Sequence, residues 1–169
     1  MKTKDLTRIA AIAAIYVVIT IIFSPISYGH IQLRISEALT LLPFYLGLPA
    51  VIGLFIGVFI ANMAGGLGVI DIIFGSLITL LAAIFTARAS SLKKAAIYPV
   101  VFNAFGVGLI LYFILGIRIV DPDVGPTISA FLNYLAHVFT VGLGQFAAVY
   151  IIGIPLMKLM NKKINLKKF

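Results

Sequence analysis

Uncharged, apolar stretches fill most of the chain, and short segments with basic residues or prolines separate them. A helix needs about 20 apolar residues to cross the roughly 30 Å hydrocarbon core of a bilayer. The stretch from Ile9 to Gly29 has that length, and no small-residue cleavage site follows it before Arg34, so it predicts a first helix that is retained. The stretch from Ala38 to Ile70 is too long for one helix. Because Pro43 and Pro49 interrupt it, it predicts two shorter crossings.

The pattern predicts six transmembrane helices in a single domain that covers residues 1–169. The predicted spans are Ile9–Gly29, Leu33–Leu46, Ala50–Met63, Val69–Ala87, Ala95–Gly116 and Thr127–Met160. Lys and Arg are enriched on the cytoplasmic side of membrane proteins, so their distribution tests this number. With a cytoplasmic amino terminus, six crossings place all Lys and Arg residues except Arg34 and Arg118 on the cytoplasmic side. Five crossings would instead place the basic carboxyl-terminal tail outside. The expected fold class is therefore an all-α integral membrane protein with both termini in the cytoplasm.

Composition agrees with a membrane protein, because 62% of the residues are hydrophobic and the mean hydropathy is +1.18. The net charge of +8 lies in short clusters between apolar runs and at the termini, which is typical of orientation signals rather than of a nucleic-acid-binding surface. The chain has no Cys and two distant His, so we expect no disulfide, no metal site and no cofactor. It also lacks H-E-x-x-H, G-x-S-x-G and phosphate-loop motifs, so we expect neither an enzyme nor a protein that hydrolyses ATP by itself.

Arg34 and Glu37 stand one helical turn apart at the start of an apolar run in which the next charge is Asp71. A charged side chain at the centre of a membrane span costs roughly 2.5–3.5 kcal/mol on insertion scales, and less near the interface. Ionisable residues within spans therefore indicate a functional site with specific partners. The alternative is that Arg34 and Glu37 only pair with each other at spacing i, i+3 and anchor a helix end.

The predicted topology places further polar residues at the same depth, in the outer half of the bundle. They are Asn62, Asp71, Asn133 and His137, level with Tyr28, His30, Gln32, Arg34 and Glu37. Asn133 and His137 share one helix face, so these residues can line an outward-facing cavity, although a structural role for His137 stays open. Asn103 and Gln145 lie deeper and either form the floor of the cavity or bridge helices. Such a cavity suits a small ligand with a planar, hydrogen-bonding edge.

Two stripes of small residues predict close helix contacts. Ala10 and Ala14 are four residues apart on the first helix, where they serve either packing inside the bundle or contact with another protein. Gly53, Gly57 and Ala61 form a similar stripe in the third span. For this second stripe we expect packing within the bundle.

Three segments of the sequence resemble one known family. They are Ile31-Gln-Leu-Arg-Ile-Ser-Glu-Ala-Leu-Thr-Leu-Leu-Pro43, Ile60-Ala-Asn-Met-Ala-Gly65 and Asp71-Ile-Ile-Phe-Gly-Ser-Leu-Ile-Thr-Leu80. In this order and at this spacing the chain resembles the QueT family, whose members are S components, the substrate-binding subunits of energy-coupling factor transporters. The resemblance covers most of the chain, and its most specific part is the Gln-x-Arg-x-Ser-Glu block.

The resemblance implies a small helical bundle in the cell membrane of a prokaryote that captures a queuosine precursor from outside. It also implies an EcfT-like transmembrane coupling subunit and two cytoplasmic ATPases as partners, with the S component tipping over in the bilayer to release its cargo. In such proteins an Ala-x-x-x-Ala stripe of the first helix docks onto the coupling subunit. Ala10 and Ala14 hold the matching positions here.

The implied substrate is a deazaguanine base, whose edge offers two donors to a carboxylate. Glu37 is then the expected acceptor, and Asn133 or Asn62 completes the contact with that edge. Tyr28 or His30 is expected to stack on the ring, and Arg34 to keep Glu37 ionised and oriented. Asp71 remains the alternative partner for a substrate amine. The rival functions are an S component for another vitamin-like compound, a stand-alone facilitator and a structural membrane protein.

A tag after Phe169 tests the predicted topology. Six crossings place this end in the cytoplasm, so the tag should be reached by an impermeant label only after the cells are permeabilised. A tag inserted after Asp123, in a predicted outer loop, should be labelled in intact cells. Labelling of the carboxyl-terminal tag in intact cells would contradict the six-span topology.

Overall fold

The computed structural model describes residues 2–27, 33–119 and 126–166, and within these ranges the chain forms helices and no strand. The predicted all-α class is thus confirmed. The main helices, numbered here in chain order, are α1 (Thr3–Ile22), α2 (Ile35–Leu46), α3 (Leu48–Gly65), α4 (Asp71–Ala87), α5 (Leu92–Ile114) and α6 (Thr127–Ile164). A single helical turn, Ser24–Ser27, follows α1.

Each predicted apolar stretch lies on one of these helices, but their lengths differ. Four of them, α1, α3, α5 and α6, are long and apolar enough to cross a membrane, whereas α2 and α4 are shorter apolar helices. The first span was predicted to continue to Gly29, yet α1 ends at Ile22. The last helix reaches Ile164, beyond the predicted end at Met160.

Several helices depart from regular α geometry. In α2 the segment Ile35–Leu41 is a 3₁₀ helix, and the α-helical turn Pro43–Leu46 follows it. Gly47 then adopts φ 63°, a conformation that suits glycine, and allows the chain to reverse into α3. π-helical segments open α4 at Asp71–Gly75, end α5 at Ile110–Ile114 and interrupt α6 at Ala147–Gly153. Such π segments change the direction of side chains within a helix and are frequent at functional sites.

The predicted packing of the glycine stripe in α3 is confirmed. A Cβ at Gly53 would lie 3.0 Å from Ile12 Cβ, and one at Gly57 would lie 3.0 Å from Tyr16 Cβ. Ala61, one turn further along, is fully buried. The later glycine of α3 meets the later residue of α1, so the two helices run parallel. The short distances show that they approach each other closely.

Other contacts show that neighbouring helices alternate in direction. Ile78 of α4 lies against Gly106 of α5, whereas Phe85, further along α4, stacks on Phe102, earlier in α5, with ring centroids 5.4 Å apart. These two helices are therefore antiparallel. In the same way Gly108 of α5 meets Val138 of α6, and Ala104, earlier in α5, lies near Gly142, later in α6.

The alternation brings three parts of the chain to one end of the bundle. Asp5 and Arg8, early in α1, line a cleft together with Leu46 and Pro49 at the α2–α3 connection. At the α4–α5 connection, the Tyr150 hydroxyl of α6 donates a hydrogen bond to the Lys93 carbonyl. This end carries many of the basic residues of the chain.

The outer surface of the bundle is apolar along its length. Large exposed side chains include Ile15, Val18, Phe105, Phe139 and Leu143. The buried polar residues, in contrast, face inward. A contiguous apolar surface of this kind is unusual for a soluble monomer, whereas lipid solvates it readily.

Adding one methyl group to the α1–α3 contact should destabilise the protein. In Gly57→Ala the new Cβ would lie 3.2 Å from the Ala13 backbone and 3.0 Å from Tyr16 Cβ, so the helices must separate. We expect a loss of about 1–3 kcal/mol in unfolding free energy, typical of overpacking, measured by thermal unfolding in detergent.

Gly142→Ala is the matched control, because its Cβ would make an ordinary 3.4 Å contact with Ala104. This variant should melt at or above the temperature of the unmodified protein, since Ala favours helices over Gly. Equal melting temperatures for the two variants would contradict the tight α1–α3 contact.

Candidate functional site

A small polar cavity lies between the helices of the bundle. Its polar lining comes from Arg34, just before α2, and from side chains of α2 to α6: Glu37, Asn62, Asp71, Thr79, Asn103 and Gln145. Val58, Gly75, Val107 and Val141 complete the wall. The free space is about 20 Å³, which is enough for a water molecule but not for a bicyclic base.

Glu37 is the most deeply buried charged residue of the cavity, with 1% of its surface exposed. Its carboxylate accepts a hydrogen bond from the Tyr16 hydroxyl of α1 and one from Asn103 Nδ2 of α5, at 3.4 Å. Tyr16 is itself fully buried. A carboxylate in an apolar bundle needs such donors, because leaving it without them costs several kcal/mol.

Sequence reasoning missed Tyr16. Its signal was a phenol in the middle of the uncharged run of the first helix. A buried Tyr hydroxyl usually has a hydrogen-bond partner, so this position could have been assigned an inward-facing role.

Arg34, Asn62 and Asp71 form a second set of contacts at the cavity. Arg34 Nη1 donates to Asn62 Oδ1 at 2.7 Å, and Asn62 Nδ2 donates to the Asp71 carbonyl at 3.1 Å. A Cβ at Gly75 would lie 2.9 Å from Asn62 Nδ2 and 3.0 Å from Asp71 Oδ1, so glycine permits this close approach. Arg34 and Glu37 thus each bond to other helices, and a purely local pair between them does not account for their contacts.

Three buried acceptor atoms at the cavity have no hydrogen-bond partner within the described part of the chain. They are Asp71 Oδ2, Asn103 Oδ1 and Gln145 Oε1. Their residues expose only 3%, 2% and 5% of their surfaces. A buried polar atom without a partner costs about 1–3 kcal/mol, so a set of three at one cavity is an unusual feature of this bundle.

Asn133 and His137 were expected to line the same cavity, but the structure does not place either of them in its lining. Asn133 Oδ1 accepts from the Ile119 backbone N–H at 2.7 Å, and His137 Nε2 lies 2.9 Å from the Ile117 carbonyl oxygen. Both side chains therefore bind backbone groups of the segment after α5. Irregular backbone near an apolar environment needs such partners, which is the structural role considered for His137.

The remaining predicted residues are placed as follows. Tyr28 and His30, together with Gln32, lie outside the described residues. Ala10 and Ala14 are exposed, whereas Ile9 and Ala13 belong to the buried face of α1. Packing inside the bundle, one of the two interpretations of the Ala10–Ala14 stripe, is therefore wrong.

Comparison with known proteins identifies the family. The QueT transporter family matches residues 6–162. A queuosine precursor transporter QueT from Lactococcus lactis subsp. cremoris (strain MG1363) is 31% identical over 183 aligned residues, which cover 99% of this chain and 98% of that protein. No solved structure matches the chain significantly. Because the family match and the relative both extend over nearly the whole chain, this protein is a member of the QueT transporter family.

Proposed function

We propose that this protein is the high-affinity S component of an energy-coupling factor transporter and that it captures a queuosine precursor of the deazaguanine type from outside for ATP-driven import. The observation that carries the proposal is the buried polar cavity, whose side chains belong to a bundle with an apolar outer surface. Intramembrane ionisable residues by default indicate a substrate pathway. The name of the Lactococcus relative supports the choice of a queuosine precursor.

Glu37 is the proposed acceptor for the base. A deazaguanine edge presents two neighbouring N–H donors, which match the two oxygens of a carboxylate. Asn103 now donates to Glu37 over 3.4 Å, near the upper limit for a hydrogen bond, so a well-placed base edge can replace that contact. Arg34 and Asn62, already joined to each other, orient the opposite side of the site.

Binding of a base requires the cavity to widen, because its free space is about 20 Å³. Two polar contacts between described residues lie at its wall: Arg34 to Asn62, and Asn62 to the Asp71 carbonyl. A ligand that offers equivalent hydrogen bonds can exchange with them at small net cost. We therefore propose that these residues part when substrate binds.

The proposed topology has six spans, a cytoplasmic location of both termini and a position in the prokaryotic cell membrane. The alternating helix directions support it, as does the position of Arg8 and Lys93 at the opposite end from the connection between Asn62 and Asp71. Under the positive-inside rule the end with Arg8 and Lys93 is cytoplasmic, so the cavity with Arg34 opens toward the outside.

The proposed partners are a transmembrane coupling subunit and two cytoplasmic ATPases. The contact with the coupling subunit is assigned to the face of α1 that carries Ala10 and Ala14. Both side chains are exposed, while the opposite face of α1 packs on α3 through Ile12 and Tyr16. A surface of small side chains lets another helix approach closely in a membrane, where packing rather than the hydrophobic effect drives association.

Glu37→Gln should weaken binding of a deazaguanine precursor at least tenfold, equal to about 1.4 kcal/mol, because the amide accepts with one oxygen only. Isothermal titration calorimetry of the purified protein measures this change. Asp5→Asn is the control, since Asp5 pairs with Arg8 away from the cavity and its loss should leave affinity unchanged. Unchanged affinity in Glu37→Gln would remove Glu37 from the site.

Ala14→Leu should abolish co-purification with the coupling subunit while the isolated chain keeps its affinity for substrate. The added side chain would project from the exposed face of α1 and hold a partner helix away. Ala64→Leu adds the same bulk at an exposed position of α3 and should leave the complex intact. Retention of the complex by Ala14→Leu would place the partner on another face.

A further inference from the structure

Asp71 is an acidic residue of the cavity whose carboxylate has a buried oxygen without a hydrogen-bond partner among the described residues. Glu37, the other acid there, accepts hydrogen bonds from Tyr16 and Asn103. Asp71 Oδ2, although buried, has no hydrogen-bond partner among the described residues. With one guanidinium, from Arg34, and two carboxylates, the described residues of the lining carry a formal charge of −1.

Two neutral acceptors accompany this carboxylate. Asn103 uses its Nδ2 on Glu37, so its Oδ1 points elsewhere, and that oxygen has no partner in the described ranges. Gln145 Oε1 is also buried and has no hydrogen-bond partner among the described residues. The three oxygens come from α4, α5 and α6, so they approach one space from three sides. Oxygens arranged in this way fit a group that only donates hydrogen bonds.

The local structure holds Asp71 in place. It begins the π-helical segment Asp71–Gly75, and its backbone carbonyl accepts from Asn62 Nδ2 at 3.1 Å. The absence of a Cβ at Gly75 leaves room for the carboxylate, since that Cβ would lie 3.0 Å from Asp71 Oδ1. The side chain is 3% exposed, so the carboxylate is a built part of the cavity and not a solvated surface group.

We propose that the cavity selects a cationic substrate and that Asp71 binds its protonated amine. The inference rests on the proposed function and narrows it: among deazaguanine precursors, the site takes the base with an aminomethyl substituent in preference to the neutral base with a nitrile at the same position. An ammonium group has three donors and no acceptor, so it satisfies the oxygens of Asp71, Asn103 and Gln145 and balances the formal charge. A nitrile only accepts hydrogen bonds and would leave those oxygens without partners.

Titration of the purified protein with the aminomethyl base and with the nitrile base tests the proposal. The unmodified protein should bind the aminomethyl base at least tenfold more tightly, a difference of about 1.4 kcal/mol. Asp71→Asn keeps the shape of the side chain and removes its charge. This variant should lose at least tenfold in affinity for the aminomethyl base and stay within about threefold for the nitrile base, so that the preference disappears.

Two further variants separate charge recognition from other effects. Glu37→Gln should weaken both ligands to a similar extent, because it removes an acceptor for the edge that they share. Asp5→Asn, which changes the same chemical group in a pair with Arg8 outside the cavity, should change neither affinity. Retained binding of the nitrile base by Asp71→Asn also shows that this variant is folded.

The outcomes distinguish this inference from the proposed function. Equal affinities for the two bases in the unmodified protein, or tighter binding of the nitrile base, would overturn cation selection and leave the proposed function standing. A preference that survives in Asp71→Asn would overturn the role of Asp71. Absence of binding for both bases by folded protein would overturn the proposed function and this inference with it.

Discussion

The burial of the Glu37 carboxylate is the constraint on which the rest of the site depends. A carboxylate with 1% exposure inside an apolar bundle must receive hydrogen bonds. Tyr16 from α1 and Asn103 from α5 provide the donors. One polar group therefore fixes how three helices meet, and the close parallel packing of α1 on α3 through Gly57 keeps Tyr16 in position.

The bundle separates two kinds of surface. Outside, large apolar side chains such as Phe139 cover the helices, and inside, polar side chains surround a cavity of about 20 Å³. Lipid tails are as apolar as these side chains, so exposing them to the membrane carries no free-energy penalty. The polar side chains can then be kept in the interior, away from lipid. The buried polar residues in and near the cavity fall into two groups. Asn133 and His137 bind backbone of the segment after α5, whereas Asp71 Oδ2 and Gln145 Oε1 have no hydrogen-bond partner among the described residues.

Irregular helix geometry contributes to the site as much as residue choice does. The 3₁₀ segment Ile35–Leu41 carries Glu37 and packs on the π segment Ala147–Gly153, where a Cβ at Gly153 would lie 3.1 Å from the Ala38 carbonyl oxygen. The π segment Asp71–Gly75 brings a carboxylate next to Asn62. Both departures turn polar side chains inward, and the cavity is too small for a base as it stands. Segments of this kind are frequent at functional sites.

The sequence by itself determined the all-helical class, the positions of the apolar helices, the packing of the glycine stripe of α3 and the grouping of Glu37, Arg34, Asn62 and Asp71 around one cavity. These features follow from local patterns in the sequence. The hydropathy of a segment, and the free-energy cost of a charge within an apolar run, depend on residues that are neighbours in sequence. Asn133 and His137 have the same polarity and predicted depth as the lining residues, so sequence could not tell that they bind backbone instead. Tyr16 and Asn103 come together with Glu37 from positions 21 and 66 residues away. Only the tertiary structure decided those contacts, since they depend on which helices pack together and on how each is rotated.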